Sequence, residues 1–361
     1  MEVEQWSAFL PHSWEVKPLR AVADFWVSNV DKLSRKDEQQ VRLCNYTDVY
    51  KHQFITLDLD FMRATATLAE IKKFRLQTSD VVITKDSESW DDIGVPALVI
   101  ETAEDLVCGY HLAILRSRDG EIDGRFLFRC LQAKPIRVWL ELAANGVTRF
   151  GIPKEEIGLM PLPVPPLDQQ IRLASFLDRE TSRIDALIAA KERLFELLAE
   201  KRRALITQAV TKGLNPNAPM RDSGLPWLEE IPRHWEMKKL KYLSTGGLVN
   251  GLFKKKDQYG SGTKLINVFD IYREDFVVDS AGLESVELVD GEIGKYRVLE
   301  GDVFFVRSSL KLEGIAASAV VTNAKEEMVF ECHLIRARPD QKNIVPEFLI
   351  NYLNSEPIRA K

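Results

Sequence analysis

From Asp168 to Lys212 the chain contains neither proline nor glycine. Along that stretch Leu173, Leu177, Ile184, Leu187, Leu194, Leu198 and Leu205 follow three- and four-residue spacings, with polar gaps at Glu180 and Lys201. The period predicts one long helix of roughly 60 Å with a single apolar stripe. Asp168 suits its N-cap, and Gly213 followed by Pro216 suits its end. Lys201, Arg202 and Arg203 lie where cations complement the helix dipole. One small domain cannot cover a stripe of that length, so the helix calls for a partner helix. Just upstream, Pro161, Pro163, Pro165 and Pro166 fix φ and lack an N–H. Residues 161–166 therefore read as a stiff extended connector and not as a central strand.

Outside the helix the pattern changes to short apolar runs. Residues 80–84, 97–100, 112–115, 303–306 and 319–321 read as strands, and residues 126–131 and 346–353 as the starts of helices. These runs repeat. Residues 10–20 return as residues 231–241, with proline, Trp-Glu (Trp14-Glu15 and Trp235-Glu236), lysine and leucine recurring at an offset of 221. After a one-residue slip the offset is 222. Asn45 and Asp48 then fall on Asn267 and Asp270, Asp80 on Asp302, His111 on His333, and Pro135-Ile136-Arg137 on Pro357-Ile358-Arg359. A constant offset over about 90 residues signals a duplicated domain, because solenoid repeats have periods of roughly 20–50 residues. Each copy is expected to be an α+β domain, the two being separated by the long helix.

Length and composition fit this organisation. The chain has 361 residues, of which 45% are hydrophobic and 29% charged, as in ordinary globular proteins. It shows no uncharged apolar run of membrane-spanning length, and its first ten residues lack a secretory pattern. Cys44, Cys108, Cys130 and Cys332 form no CxxC pair, which suits reduced thiols in the cytoplasm. The net charge of −5 means that a nucleic-acid partner would have to meet basic residues gathered on one face.

The run Pro163-Val164-Pro165-Pro166-Leu167-Asp168-Gln169-Gln170-Ile171, with Ile184-Asp185-Ala186-Leu187-Ile188 and Glu200-Lys201-Arg202-Arg203-Ala204-Leu205-Ile206, resembles the helical region of the specificity (S) subunits of type I restriction–modification systems. Ser223-Gly224-Leu225-Pro226-Trp227 and Ile231-Pro232-Arg233-His234-Trp235-Glu236 resemble the opening of that family's second target-recognition domain, and residues 10–19 the opening of its first. The resemblance implies a target-recognition domain over residues 1–162, a spacer helix over 163–213 and a second recognition domain over 214–361. It implies double-stranded DNA as the target, each domain reading one half of a bipartite site, with methyltransferase (M) and restriction/translocase (R) subunits as partners. One departure stands out. Copy one runs through its helix to Lys212, whereas copy two ends at Lys361, about 73 residues short of the matching point. Truncation is expected, with self-association through the spacer helix as one way to supply the absent helix.

The expected DNA contacts follow the strand that begins at Asp80 or Asp302. They are Lys85, Ser87 and Ser89 in copy one and Arg307, Ser308, Ser309 and Lys311 in copy two, with Lys254, Lys255 and Lys256 on a glycine-flanked basic segment. Arg63, Lys72 and Lys73 are weaker candidates. The plainer reading of each is a solvated surface cation. His111 and His333 read as hydrogen-bonded core histidines, and Trp14 and Trp235 as domain packing. An adenine methyltransferase needs an Asn/Asp-Pro-Pro-aromatic loop for the flipped base, and Pro165-Pro166 lacks the preceding acid or amide. There is no GxxxxGK[ST] loop, Pro339-Asp340 with Lys342 lacks further ordered carboxylates, and no His/Cys cluster has zinc spacing. No catalytic centre, metal or cofactor is expected. The rival reading is a truncated scaffold or decoy that binds methyltransferase subunits but not DNA.

Overall fold

The computed structural model describes Trp6 and residues 8–359, apart from the side chain of Lys256. The ends of the expected domains, residues 1–5, 7 and 360–361, lie outside the described residues. The chain divides into two compact units, Met1–Ile188 and Ala189–Lys361.

In the first unit a five-stranded sheet has the order Ala23–Val27, Leu112–Ser117, Val81–Thr84, Pro96–Val99, Phe54–Ile55. A three-stranded sheet runs Met62–Ala66, Gln39–Cys44, Leu106–Cys108. The central strands are apolar at consecutive positions because both faces of the sheet are covered. Val81, Ile83, Leu98, Ala113 and Leu115 enter one core with the helix Gly124–Gln132. Val82, Ala97, Val99, Leu112 and Ile114 enter the other.

The second unit repeats this topology. Its five-stranded sheet runs Ser244–Asn250, Leu334–Pro339, Val303–Val306, Ser318–Asn323, Val277–Asp279, and its three-stranded sheet Glu284–Val286, Tyr259–Ile266, Met328–Phe330. Strand directions agree pair by pair, including the parallel pairs at the ends of the sheets. The register agrees too: Val81 faces Leu98 and Val303 faces Val320, each at the 222-residue offset.

The duplication extends to single hydrogen bonds. Asn45 and Asp48 form a capping box on the helix Tyr46–Lys51, and Asn267 and Asp270 form one on Val268–Ile271. Asp80, 1% exposed, accepts from Arg116 Nε and Nη2 at 2.7 Å each and from the Gln77 N–H at 2.7 Å. Asp302, also 1% exposed, accepts from Arg338 Nε at 2.7 Å, from its Nη2 at 2.8 Å and from the Leu299 N–H at 2.8 Å. Trp14 packs edge-on against Phe126, and Trp235 against Phe348, so both act in packing as expected.

The long helix spans Leu167–Lys212, 46 residues without a break, or about 69 Å. It begins one residue before Asp168, which sits in the first turn paired with Arg172 at 2.6 Å and does not cap. Gly213 ends it at φ 77°. The proline segment differs from expectation: Pro161–Val164 is a strand, paired antiparallel with Glu15–Pro18. A two-stranded ribbon leaves one side of each strand unpaired, and proline is tolerated on such an edge. His333 is exposed and is not a core residue, because it lies in the turn that precedes Leu334–Pro339. His111 is partly buried and bonded, nearer to expectation. Most of the helix stripe is uncovered, with Ile184, Leu187, Leu194, Leu198 and Leu205 each more than half exposed.

Removing a buried carboxylate strands its arginine. Asp80→Ala and Asp302→Ala are each expected to destabilise their own unit by about 3 kcal/mol, read by hydrogen exchange unit by unit. A loss below ~1 kcal/mol would contradict a structural role for the pair.

Candidate nucleic-acid interface

The central strand of each five-stranded sheet runs into a nine-residue loop, 85–93 in the first unit and 307–315 in the second. One set of backbone bonds closes both loops. The Lys85 N–H donates to His111 O at 2.8 Å, and the Arg307 N–H to His333 O at 2.7 Å. The Gly94 N–H donates to Thr84 O, and the Ala316 N–H to Val306 O, at 2.9 Å each. Gly94 and Ala316 both adopt positive φ, 70° and 57°. At Gly94 a Cβ would lie 2.6 Å from Leu140 Cδ1, so a larger residue there would require the Leu140 side chain to shift. A tyrosine tethers each loop from outside. The Tyr50 hydroxyl donates to Asp92 at 2.6 Å, and the Tyr272 hydroxyl to Ser309 at 3.1 Å. These two tyrosines are again 222 residues apart and were missed in the sequence, where only the constant offset could have found them.

Within this common frame the loop contents differ. In the first unit Lys85 Nζ contacts Asp86 Oδ1 at 2.6 Å, and His111 Nδ1 lies 2.6 Å from Asp86 Oδ2. Burial alone would raise the Asp86 carboxyl, but the hydrogen bonds from Lys85 and His111 outweigh it and hold the group below the usual carboxylate range. Ser87 is buried in the short strand Asp86–Ser87, which pairs with Phe150–Gly151. Ser89 is exposed, with its hydroxyl bonded to Asp91, and Trp90 is 52% exposed. In the second unit Arg307, Ser308 and Lys311 are exposed. Among the described residues no ion-pair partner faces Arg307 or Lys311. Leu310 between them is fully exposed, and Leu312, at the position of Trp90, is 80% exposed.

The basic segment 254–256 is not one surface. Lys254 is 3% exposed at its side chain and paired with Glu292 at 2.6 Å, a neighbour that lies far along the chain. Lys255 is exposed, and the side chain of Lys256 lies outside the described residues. Arg63, Lys72 and Lys73 are exposed on other elements. Neither Lys85 nor Lys254 can offer a free ammonium to an anion without giving up its carboxylate partner.

Two copies of one α+β unit, with the long helix between them in sequence, match solved structures in fold. An HsdS subunit from Thermoanaerobacter tengcongensis aligns over 97% of this chain and 82% of its own, with a TM-score of 0.57 and 15% identity. A chain from a structural study of complex assembly and conformational transition in a type I R-M system aligns over 96% and 81%, with a TM-score of 0.62 and 15% identity. In sequence the chain is 23% identical to the EcoKI specificity subunit of Escherichia coli K12, over 97% of this chain and 73% of that protein. It is 20% identical to the StySPI specificity subunit of Salmonella potsdam, over 96% and 72%. A putative MjaX specificity subunit of Methanocaldococcus jannaschii matches 64% of the chain and 52% of its own length, at 23% identity. No family model matches. The chain is thus similar in sequence to type I restriction specificity subunits over most of its length, and similar in fold to HsdS structures. Among the described residues no helix is long and apolar enough to cross a membrane.

Asp86 generates a pH-dependent expectation. Its lowered value means that its contribution to stability is full above the usual carboxylate range and is lost as pH falls through the depressed value. Asp86→Asn is expected to lose about 2 kcal/mol at neutral pH, with the gap to the parent closing in acid. Urea midpoints across pH measure this, and a gap unchanged in acid would contradict it.

Proposed function

We propose that this chain is a non-catalytic, cytoplasmic specificity subunit. Each unit reads one half of a bipartite duplex target, and the assembled chain directs M and R subunits to that target. The observation that carries this reading is the conserved frame with divergent loops. Readers of different half-sites need the same scaffold and different side chains at the loop, because phosphate contacts position a protein while base edges carry the sequence.

Arg307 and Lys311 are assigned to phosphates, being exposed cations without an ion-pair partner among the described residues. Ser308 and Ser309 supply hydroxyls. Leu310 in the second unit and Trp90 in the first offer apolar contact to a thymine methyl or a base face. Ser89 is the exposed hydroxyl of the first loop, and Ser87 acts from within the fold. Lys255 precedes a second strand and adds to the basic surface, while Lys85 and Lys254 serve mainly in their ion pairs. The uncovered stripe of the helix is the surface for M subunits or for a second copy of the chain. Burying each of its half-exposed leucines contributes on the order of 1 kcal/mol. Nothing in the comparisons favours a scaffold that has lost DNA binding.

Arg307→Ala and Lys311→Ala are each expected to weaken binding of the assembled complex on every duplex and to reduce the slope of log affinity against log salt by about one. Lys85→Ala should do less, its charge being balanced by Asp86. Unchanged salt slopes in folded variants would remove these residues from the interface. Methylation mapping after co-expression with the cognate methyltransferase tests the function itself. A seven-residue helical insertion within residues 182–205 should lengthen the gap between half-sites by about 3 base pairs while leaving both halves unchanged. An ungapped target, or a gap indifferent to the insertion, would overturn the reading.

A further inference from the structure

Three consecutive residues of the second unit, Glu331, Cys332 and His333, bring a carboxylate, a thiol and an imidazole together, with their ligand atoms all within 4.8 Å of one another. A strand would send such neighbours to alternate faces. Here the chain reverses between Met328–Phe330 and Leu334–Pro339, and the Leu334 N–H closes the turn on Glu331 O at 3.1 Å. The turn is what gathers successive side chains. A search for spaced Cys/His pairs could not have found it.

We propose that Glu331, Cys332 and His333 form a binding site for one thiophilic divalent cation of the Zn2+ class. The donor set decides the class, since thiolate and imidazole prefer zinc or cobalt to magnesium or calcium. Donors at 2.0–2.3 Å from a tetrahedral ion lie roughly 3.3–3.8 Å apart, so side-chain rotation of about 1 Å closes the site. Three protein ligands leave a fourth position for water.

The surroundings hold the donors in place. Glu331 Oε1 accepts the Val268 N–H at 3.0 Å, which orients the carboxylate and leaves its second oxygen available. The Glu331 N–H donates to Ile266 O at 3.1 Å, and His333 O accepts from Arg307. Gly251 packs so closely that a Cβ there would lie 2.0 Å from Glu331 O. Cys332 is also distinct among the thiols. Cys44, Cys108 and Cys130 are buried, and burial pushes their thiols up, that of Cys130 to about 12. Cys332 is half-buried and can be reached. The matching positions of the first unit are Gly109, Tyr110 and His111, so only the histidine is shared and the site belongs to the second unit alone. Because His333 O holds the Arg307 N–H, an ion here would brace the residue that opens the second loop.

Titrating the chelator-stripped full chain with Co2+ tests the proposal. One equivalent should produce thiolate-to-cobalt charge-transfer absorption in the near ultraviolet, and Zn2+ should displace it. Cys332→Ser should abolish the band, and His333→Ala should weaken Zn2+ binding at least ~10-fold by calorimetry. His52→Ala, on an exposed position of the first unit, should leave both unchanged. Zn2+ should also protect Cys332 of the unmodified chain from alkylation, a readout that does not depend on a variant folding. No cobalt–thiolate band, a band that survives Cys332→Ser, or alkylation of Cys332 indifferent to Zn2+ would overturn the site.

Discussion

In each unit an aspartate sits at the start of the central strand with almost no access to water, and an arginine from the neighbouring strand grips it through two nitrogens. A lone carboxylate there would be costly, so the pair must form if the sheet forms. The same arginine also donates to a backbone carbonyl, Arg116 to Arg75 O and Arg338 to Arg297 O. The ion pair thereby ties the central strand to the chain that leads into it. This constraint fixes where the strand emerges, and the loop that follows inherits its position. Arg116 and Arg338 differ in their outer surroundings: the first lies over Trp26, while the Arg338 N–H binds Ser244. The pair is retained while its context changes, as expected if the pair is what the frame depends on.

From that frame the logic of the loops follows. Backbone hydrogen bonds at both ends of each loop, and one tyrosine beside it, hold the loop without prescribing its side chains. The first unit spends its loop on an internal network of Lys85, Asp86 and His111 and on a short strand with Phe150–Gly151. The second leaves Arg307, Leu310 and Lys311 open to solvent. A net charge of −5 is compatible with an anionic partner because the relevant cations are few and local.

Much of the fold was legible because its signals are local or periodic. The strands at 80–84 and 303–306 were found to within a residue, since sheets covered on both faces leave uninterrupted apolar runs. The helix boundaries followed from proline and glycine, and the duplication from a constant offset. The site was less legible because its chemistry depends on who meets whom. Lys254 looked like one of three surface lysines, but Glu292, 38 residues away, takes it inward. Lys85 looked equivalent to Arg307, and in backbone terms it is, yet the adjacent Asp86 neutralises it. His333 was assigned to the core from its match with His111, although the turn places it outside. The proline run joined a strand because its partner, Glu15–Pro18, lies about 145 residues earlier.

The central claim is that two independent readers share one chain. Replacing residues 307–315 with an unrelated loop of equal length, and then mapping methylation by the assembled complex, tests it most directly. The account predicts a target in which one half-site changes while the other half and the gap between them stay as they were. Simultaneous change of both halves by a folded variant, or an unaltered target, would contradict it.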